Sequence, residues 1–145
     1  MELKTHNPSP WLEHFGFNHA VEVRGGDRVL YCSGQTASDA EGAPLHPGDL
    51  AAQYRSAWDN LVELLETADM TPANLVRLNI YTTDVPAFME AAETLTPLHL
   101  EAGAKAACTL LGVRELYAPE VLVEIEATAV AGVEAGAGAA TKAAR

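Results

Sequence analysis

The sequence predicts one α+β layer, a sheet with two helices on a single face. Three observations carry this. Apolar residues recur in the order strand, strand, helix, strand, helix, strand, strand. Only two segments show helical spacing. Two helices can cover just one face of a sheet with that many strands.

Residues 1 to 15 read as irregular, with Pro8 and Pro10. "FNHAVEVR" (17–24) is strand-like, with His19, Val21 and Val23 on one side. "GGD" (25–27) is a turn signal, and "RVLYCSG" (28–34) resumes as a strand, so the two are expected to form a hairpin. A Gly/Pro-rich loop occupies 39–48. Asp49 is a candidate N-cap for a helix whose apolar face holds Leu50, Tyr54, Ala57, Leu61, Leu64 and Leu65. Thr71 and Pro72 lie past its end. "NLVRLNIYTTD" (74–84) alternates, with Val76, Leu78 and Ile80 opposite Arg77, Asn79 and Tyr81, as in a half-buried strand.

The second helix is expected over about 85–101, with Phe88, Ala91, Ala92, Leu95, Leu98 and His99 as its stripe. Pro97 either kinks it or starts its last turn, and Gly103 ends it. "KAACTLLGV" (105–113) reads as a buried strand. In "VLVEIEATAV" (121–130), Val121, Val123, Ile125, Ala127 and Ala129 share one face, and Glu124, Glu126 and Thr128 the other. A single domain over 1–131 is expected. The Ala/Gly-rich tail, 132–145, has no large apolar anchor and is expected to be disordered.

The chain has 145 residues, 48% of them hydrophobic, enough for one core. Its 9 basic and 20 acidic residues give a net charge of -11. Lys and Arg form no cluster, so neither nucleic acid nor an anionic membrane is an expected partner. The opening residues hold no apolar signal region and no stretch reaches membrane-spanning length. The expected setting is cytoplasmic, with Cys32 and Cys108 as free thiols. The histidines (His6, His14, His19, His46, His99) offer no close pair, so no metal site is expected. Arg77, Asn79, Glu124 and Glu126 fall on the uncovered sheet face. That face is too mixed for solvent and too polar for a core, which a subunit interface would reconcile.

Four segments resemble one family. "FGFNHAV" (15–21) is similar to its "GPYSQAV". "YCSGQTASDAEG" (31–42) is similar to its Ser-Gly-Gln strand end and following loop. "WDNLVELLETADMTPANLVRLNIYTTDV" (58–85) is similar to its "LDN" helix running into a Val-x-Tyr-x-x-Asp strand. "LVEIEATAV" (122–130) is similar to its "VEIEAIAV" ending. Together they resemble the Rid family, also called YjgF or, in older usage, endoribonuclease L-PSP. The resemblance implies a chorismate-mutase-like α+β subunit with a mixed, mostly antiparallel sheet. It also implies a homotrimer with ligand clefts between subunits, and hydrolysis of small imines or enamines to a 2-keto acid and ammonia without metal or organic cofactor.

Family members active as deaminases carry an arginine in a "P-A-R-S/T" stretch on the penultimate strand, which grips the substrate carboxylate. In this chain Cys108 takes that position. Three readings stay open. The site is retuned for another ligand, or Lys105 or Arg114 supplies the cation, or the pocket binds without turnover. Glu124 matches the family carboxylate that positions water; otherwise it is a strand-face acid paired with Arg77. Phe17 replaces a family tyrosine and can wall a pocket, with His19 as a polar substitute or a structural histidine. Ser33 and Gln35 end a strand around Gly34, which permits close backbone approach. Backbone groups near Cys108 and Thr109 can hold a developing anion, and Leu110 shapes the pocket. Cys108 is a reactive thiol or a small buried hydrophobe. The function expected is hydrolysis of a small imine, enamine or related C–N substrate. The alternative is a non-catalytic metabolite-binding trimer. Ribonuclease activity rests only on the older family name, and the acidic charge opposes it.

Overall fold

The computed structural model describes residues 1–133. Its elements are β1 (Glu2–His6), β2 (Ala20–Arg24), β3 (Arg28–Gln35), α1 (Leu50–Thr67), β4 (Leu75–Thr82), α2 (Val85–Glu101), β5 (Ala107–Gly112) and β6 (Val123–Ala131). The main sheet runs β3-β6-β4-β5. β4 pairs with β5 in parallel, through the α2 crossover, and the other two pairings are antiparallel. The mixed α+β layer expected from the sequence is therefore present. The expected disorder of the tail falls, for 134–145, outside the described residues.

Both helices begin and end where local chemistry directs. Asp49 accepts from the Ala52 N–H at 3.0 Å, and Asp84 does the same for Ala87. α2 runs through Pro97 and closes at Gly103, whose φ is +75°. There Gly103 N–H reaches Leu100 C=O and Ala104 N–H reaches His99 C=O, a paired closure that needs the left-handed conformation. α1 closes in the same pattern on Asp69, at φ 55°.

The core lies between the helices and one sheet face. Tyr54, Ala57, Trp58, Leu61 and Leu65 of α1, with Phe88, Ala92 and Leu95 of α2, pack on Leu78, Ile80, Val123, Ile125 and Ala127. One polar residue absent from the sequence reading locks the layers together. The buried Gln53 amide donates to the Glu120 carbonyl at 2.7 Å, and its oxygen accepts from Leu122 N–H at 2.8 Å. Cys32, Ala127, Leu78 and Cys108 lie in one row across the four strands. The two thiols are thus three strand spacings apart, about 14 Å, beyond the reach of a disulfide, and both are free.

The expected hairpin of 17–24 with 28–34 is not formed. β2 pairs instead with β1 as a separate two-stranded ribbon, Glu2 facing Arg24 and His6 facing Ala20. β3 pairs with β6. The stretch read as irregular therefore holds a strand, and the Gly-Gly pair carries the chain past the sheet rather than around a tight turn. A Cβ at Gly26 would meet Val130 Cγ1 at 2.3 Å, so only glycine passes there. The ribbon's other end is tied to the entry of β5. Asn18 N–H donates to Ala106 C=O, and its side-chain amide donates to Lys105 C=O at 2.9 Å.

His99 is 3% exposed, and its Nε2 lies 2.6 Å from the Tyr54 hydroxyl. Burial lowers its pKa from 6.5 to about 4, against a smaller upward pull from the Phe15 backbone. The unfolded chain takes up this proton below about 6.5, the folded chain only near 4. Stability from the neutral imidazole is therefore full above the unfolded value and lost as pH falls from there toward 4, by up to about 3 kcal/mol. In urea titrations between about pH 7 and 4.5, His99→Gln should flatten this loss. Equal slopes for the two proteins would contradict it.

Candidate active site

Strand alternation decides what each face presents. On the open face, Tyr81 stands opposite Glu124, Asn79 opposite Glu126 and Arg77 opposite Thr128. Thr109 of β5 lies beside Asn79 on the same face. Glu126 accepts from Asn79 Nδ2 at 3.0 Å and from the Tyr81 hydroxyl. These two donors hold Glu126 below the ordinary carboxylate range. Glu124 makes no side-chain hydrogen bond among the described residues. Burial, and then the charge of Glu126, raise its pKa. Two carboxyls two residues apart thus titrate in opposite directions, the arrangement that separates an acid from a base.

Gly34 makes room for this. β3 bulges between Cys32 and Gln35, and a Cβ at Gly34 would stand 1.8 Å from Glu124 Oε1. The Glu124 carboxylate therefore lies directly against the Gly34 backbone. Ser33 beside it is exposed, and the Gln35 amide folds back to donate to the Ser33 carbonyl at 3.1 Å. Arg77 is exposed and donates to Thr109 Oγ1 at 2.6 Å. The structural alternative for Glu124, a pair with Arg77, is not formed. Arg77 stands four residues down β4 from Glu124's partner, about 13 Å along the strand, with the Asn79–Glu126 pair between them.

The remaining expected site residues lie elsewhere. Cys108 and Leu110 share the row of Leu78 and Ile80, on the helix side of the sheet. Together with Phe17 they line an apolar cavity beneath α2. Glu124 and Cys108 therefore face opposite sides of the sheet and do not line one pocket. This corrects the expectation that Phe17, Leu110 and the Cys108 position would frame the substrate of Glu124. Burial pushes the Cys108 thiol up to about 12, with Arg77 opposing this weakly, so the reactive-thiol reading fails and the small-hydrophobe reading holds. Lys105 is exposed, and its carbonyl anchors Asn18. His19 is half-buried, its ring edge-on to Trp11 at 5.3 Å. Arg77, Asn79 and Tyr81 are the site residues that sequence reasoning named only as a strand face. Their alternation with Val76, Leu78 and Ile80 was the available signal.

Fold and site define an α+β layer protein with a polar, carboxylate-bearing open sheet face. The family model described as Endoribonuclease L-PSP matches residues 13–131, and the chain belongs to this family, the Rid or YjgF family. It is similar to a RutC family protein of Aquifex aeolicus, 33% identical over 79% of this chain and 87% of that one. Half of it is 33% identical to half of the 2-iminobutanoate/2-iminopropanoate deaminase of Rattus norvegicus. Among solved structures it is similar to the Rid family protein YyfB of Yersinia pestis, described as of unknown function. That likeness has a TM-score of 0.80 and 38% identity over 90% of this chain and all of that one. The YjgF gene product of E. coli matches with a TM-score of 0.63 and 27% identity, covering 78% and 86%.

Two outcomes test the inward placement of Cys108. Neither Cys32 nor Cys108 should react appreciably with a disulfide reagent in the native chain, and both should react in denaturant. Cys108→Arg should destabilise the fold by about 3–5 kcal/mol, because it buries an unpaired guanidinium. Native-state reaction at a free-thiol rate, or a stable Cys108→Arg chain, would contradict the placement.

Proposed function

We propose that the chain is a cofactor-independent hydrolase of small imines or enamines, acting on the open sheet face where copies of the chain meet. The observation that carries this is the Glu124–Glu126 pair, with its two carboxyls displaced in opposite directions. A base is most useful when its pKa is drawn toward the working pH, and Glu124 is displaced that way. Glu124 accepts a proton from water as the water oxygen bonds to the imine carbon, and that proton passes to the nitrogen, giving a carbinolamine. The carbinol hydroxyl proton then passes through Glu124 to the same nitrogen as the C–N bond breaks, leaving a carbonyl and ammonia. The likeness to a named imine deaminase supports the substrate class.

Arg77 lies too far along β4 from Glu124 for both to hold one small substrate, and its guanidinium is engaged with Thr109, so it is not assigned to the substrate carboxylate. The face also carries exposed apolar side chains, Tyr31 at 81% and Leu111 at 50%. Such groups beside a half-buried acid fit a surface covered by other copies, and a homotrimer is the assembly proposed.

The assay couples the purified chain to a system that generates 2-aminoacrylate or 2-iminopropionate and follows keto-acid release. Glu124→Gln should lower kcat/KM by about 10²–10⁴-fold. Gly34→Ala should lower kcat by about tenfold or more, because its Cβ evicts the Glu124 carboxyl from its seat. The acidic limb of the pH profile should lie above the ordinary carboxylate range and move down in Glu126→Gln, where one repelling charge is gone. Unchanged turnover in Glu124→Gln would overturn the mechanism. Binding without acceleration of any imine would favour the metabolite-binding reading instead.

A further inference from the structure

Attack by water requires more than a base. A water has two hydrogens, and holding both turns its lone pair toward the imine carbon. Glu124 holds one. Tyr81 is the β4 residue directly across from Glu124 in the antiparallel register, and both are half-buried on the open face. Directly opposed strand residues are close neighbours, about 5 Å apart at Cβ.

The Tyr81 hydroxyl does not give its hydrogen to Glu124. It reaches diagonally to Glu126 and donates to Oε1. Asn79 Nδ2 donates to the same oxygen at 3.0 Å. With both donors on it, Glu126 is held below the ordinary carboxylate range, so it is ionised and only accepts. Tyr81 is displaced upward, chiefly by its bond to Glu126, then by burial and the two carboxylate charges, with Arg77 opposing. It therefore stays a neutral phenol. A phenol has one hydrogen. With that hydrogen on Glu126, the Tyr81 oxygen faces the rest of the site as an acceptor only. Two acceptors thus stand across the strand pair, one anionic and one neutral, and a water has a hydrogen for each.

We propose that Tyr81 positions the attacking water: its oxygen accepts the hydrogen that Glu124 does not take, while Glu126 and Asn79 fix the hydroxyl so that this oxygen is free. The inference rests on the hydrolase reading of Glu124. In the second step the carbinol hydroxyl turns to Glu124, ionised again once the nitrogen holds the first proton. Tyr81 gives up no proton at any stage.

The test follows keto-acid release from 2-iminopropionate with the full chain, and measures kcat and KM separately for Tyr81→Phe, Glu126→Gln and the double variant. Tyr81→Phe keeps the ring and removes the oxygen. It should lower kcat about tenfold, as loss of one hydrogen bond does, and leave KM within about twofold. The Glu126 carboxyl carbon should titrate at higher pH in this variant, since one donor is gone. In the Glu126→Gln background the hydroxyl is no longer held, and Tyr81→Phe should lower kcat by less than about threefold. Parent kcat in a folded Tyr81→Phe chain, or the same tenfold loss in both backgrounds, would overturn the inference while Glu124→Gln still stops turnover. Parent turnover in Glu124→Gln would overturn this inference and the hydrolase reading together. Should Tyr81→Phe not fold, Glu126→Gln decides at the alkaline plateau of the pH profile. There kcat should fall by about threefold or more, and a parent value would overturn the inference.

Discussion

The pairing of β4 with β6 is the constraint on which the rest depends. These are the two central strands, and they alternate between apolar and polar residues over 77–81 and 123–128. In the register adopted, Ile80 meets Ile125 under the helices while Tyr81 meets Glu124 on the open face. A one-residue slip of β6 would bury Glu124 and Glu126, and one of β4 would bury Arg77 and expose Leu78 and Ile80. The hydrophobic drive that buries one set of side chains therefore also assembles the other into a polar cluster.

Within that cluster, two carboxyls experience different surroundings because of their neighbours. Glu126 receives two donors from β4, whereas Glu124 receives none and lies against the backbone of a bulged β3. Glycine at 34 is what lets the acid sit so close. On the far side of the sheet, the same alternation carries Cys108 into an apolar layer with Phe17 and His99. The open face carries a cation of its own in Arg77, bonded to Thr109. The rat imine deaminase matches over only half of each chain, so the chemistry proposed rests first on the geometry of the face.

Much of this was legible in the residues. Both helices announce themselves by spacing and by Asp49, Asp84 and Gly103 at their ends. β4 and β6 show their faces because polar and apolar residues contrast over 77–81 and 123–128. Two features were not legible. β1, "ELKTH", has Leu3 as its one apolar residue, so no alternation marks it as a strand, and its claim on β2 is a long-range pairing that the local turn signal "GGD" contradicts. In "AACTLLG" every residue is small or apolar apart from one threonine, so alternation carries no contrast. The direction of Cys108 is set by pairing with β4, where Leu78 fixes it.

The account stands or falls on the open face holding one carboxyl above its ordinary range and its neighbour below. Site-resolved NMR titration of the Glu124 and Glu126 carboxyl carbons measures this directly. The account predicts that Glu124 titrates at higher pH than a free glutamate and Glu126 at lower pH. Coincident midpoints, or the reverse order, would contradict it.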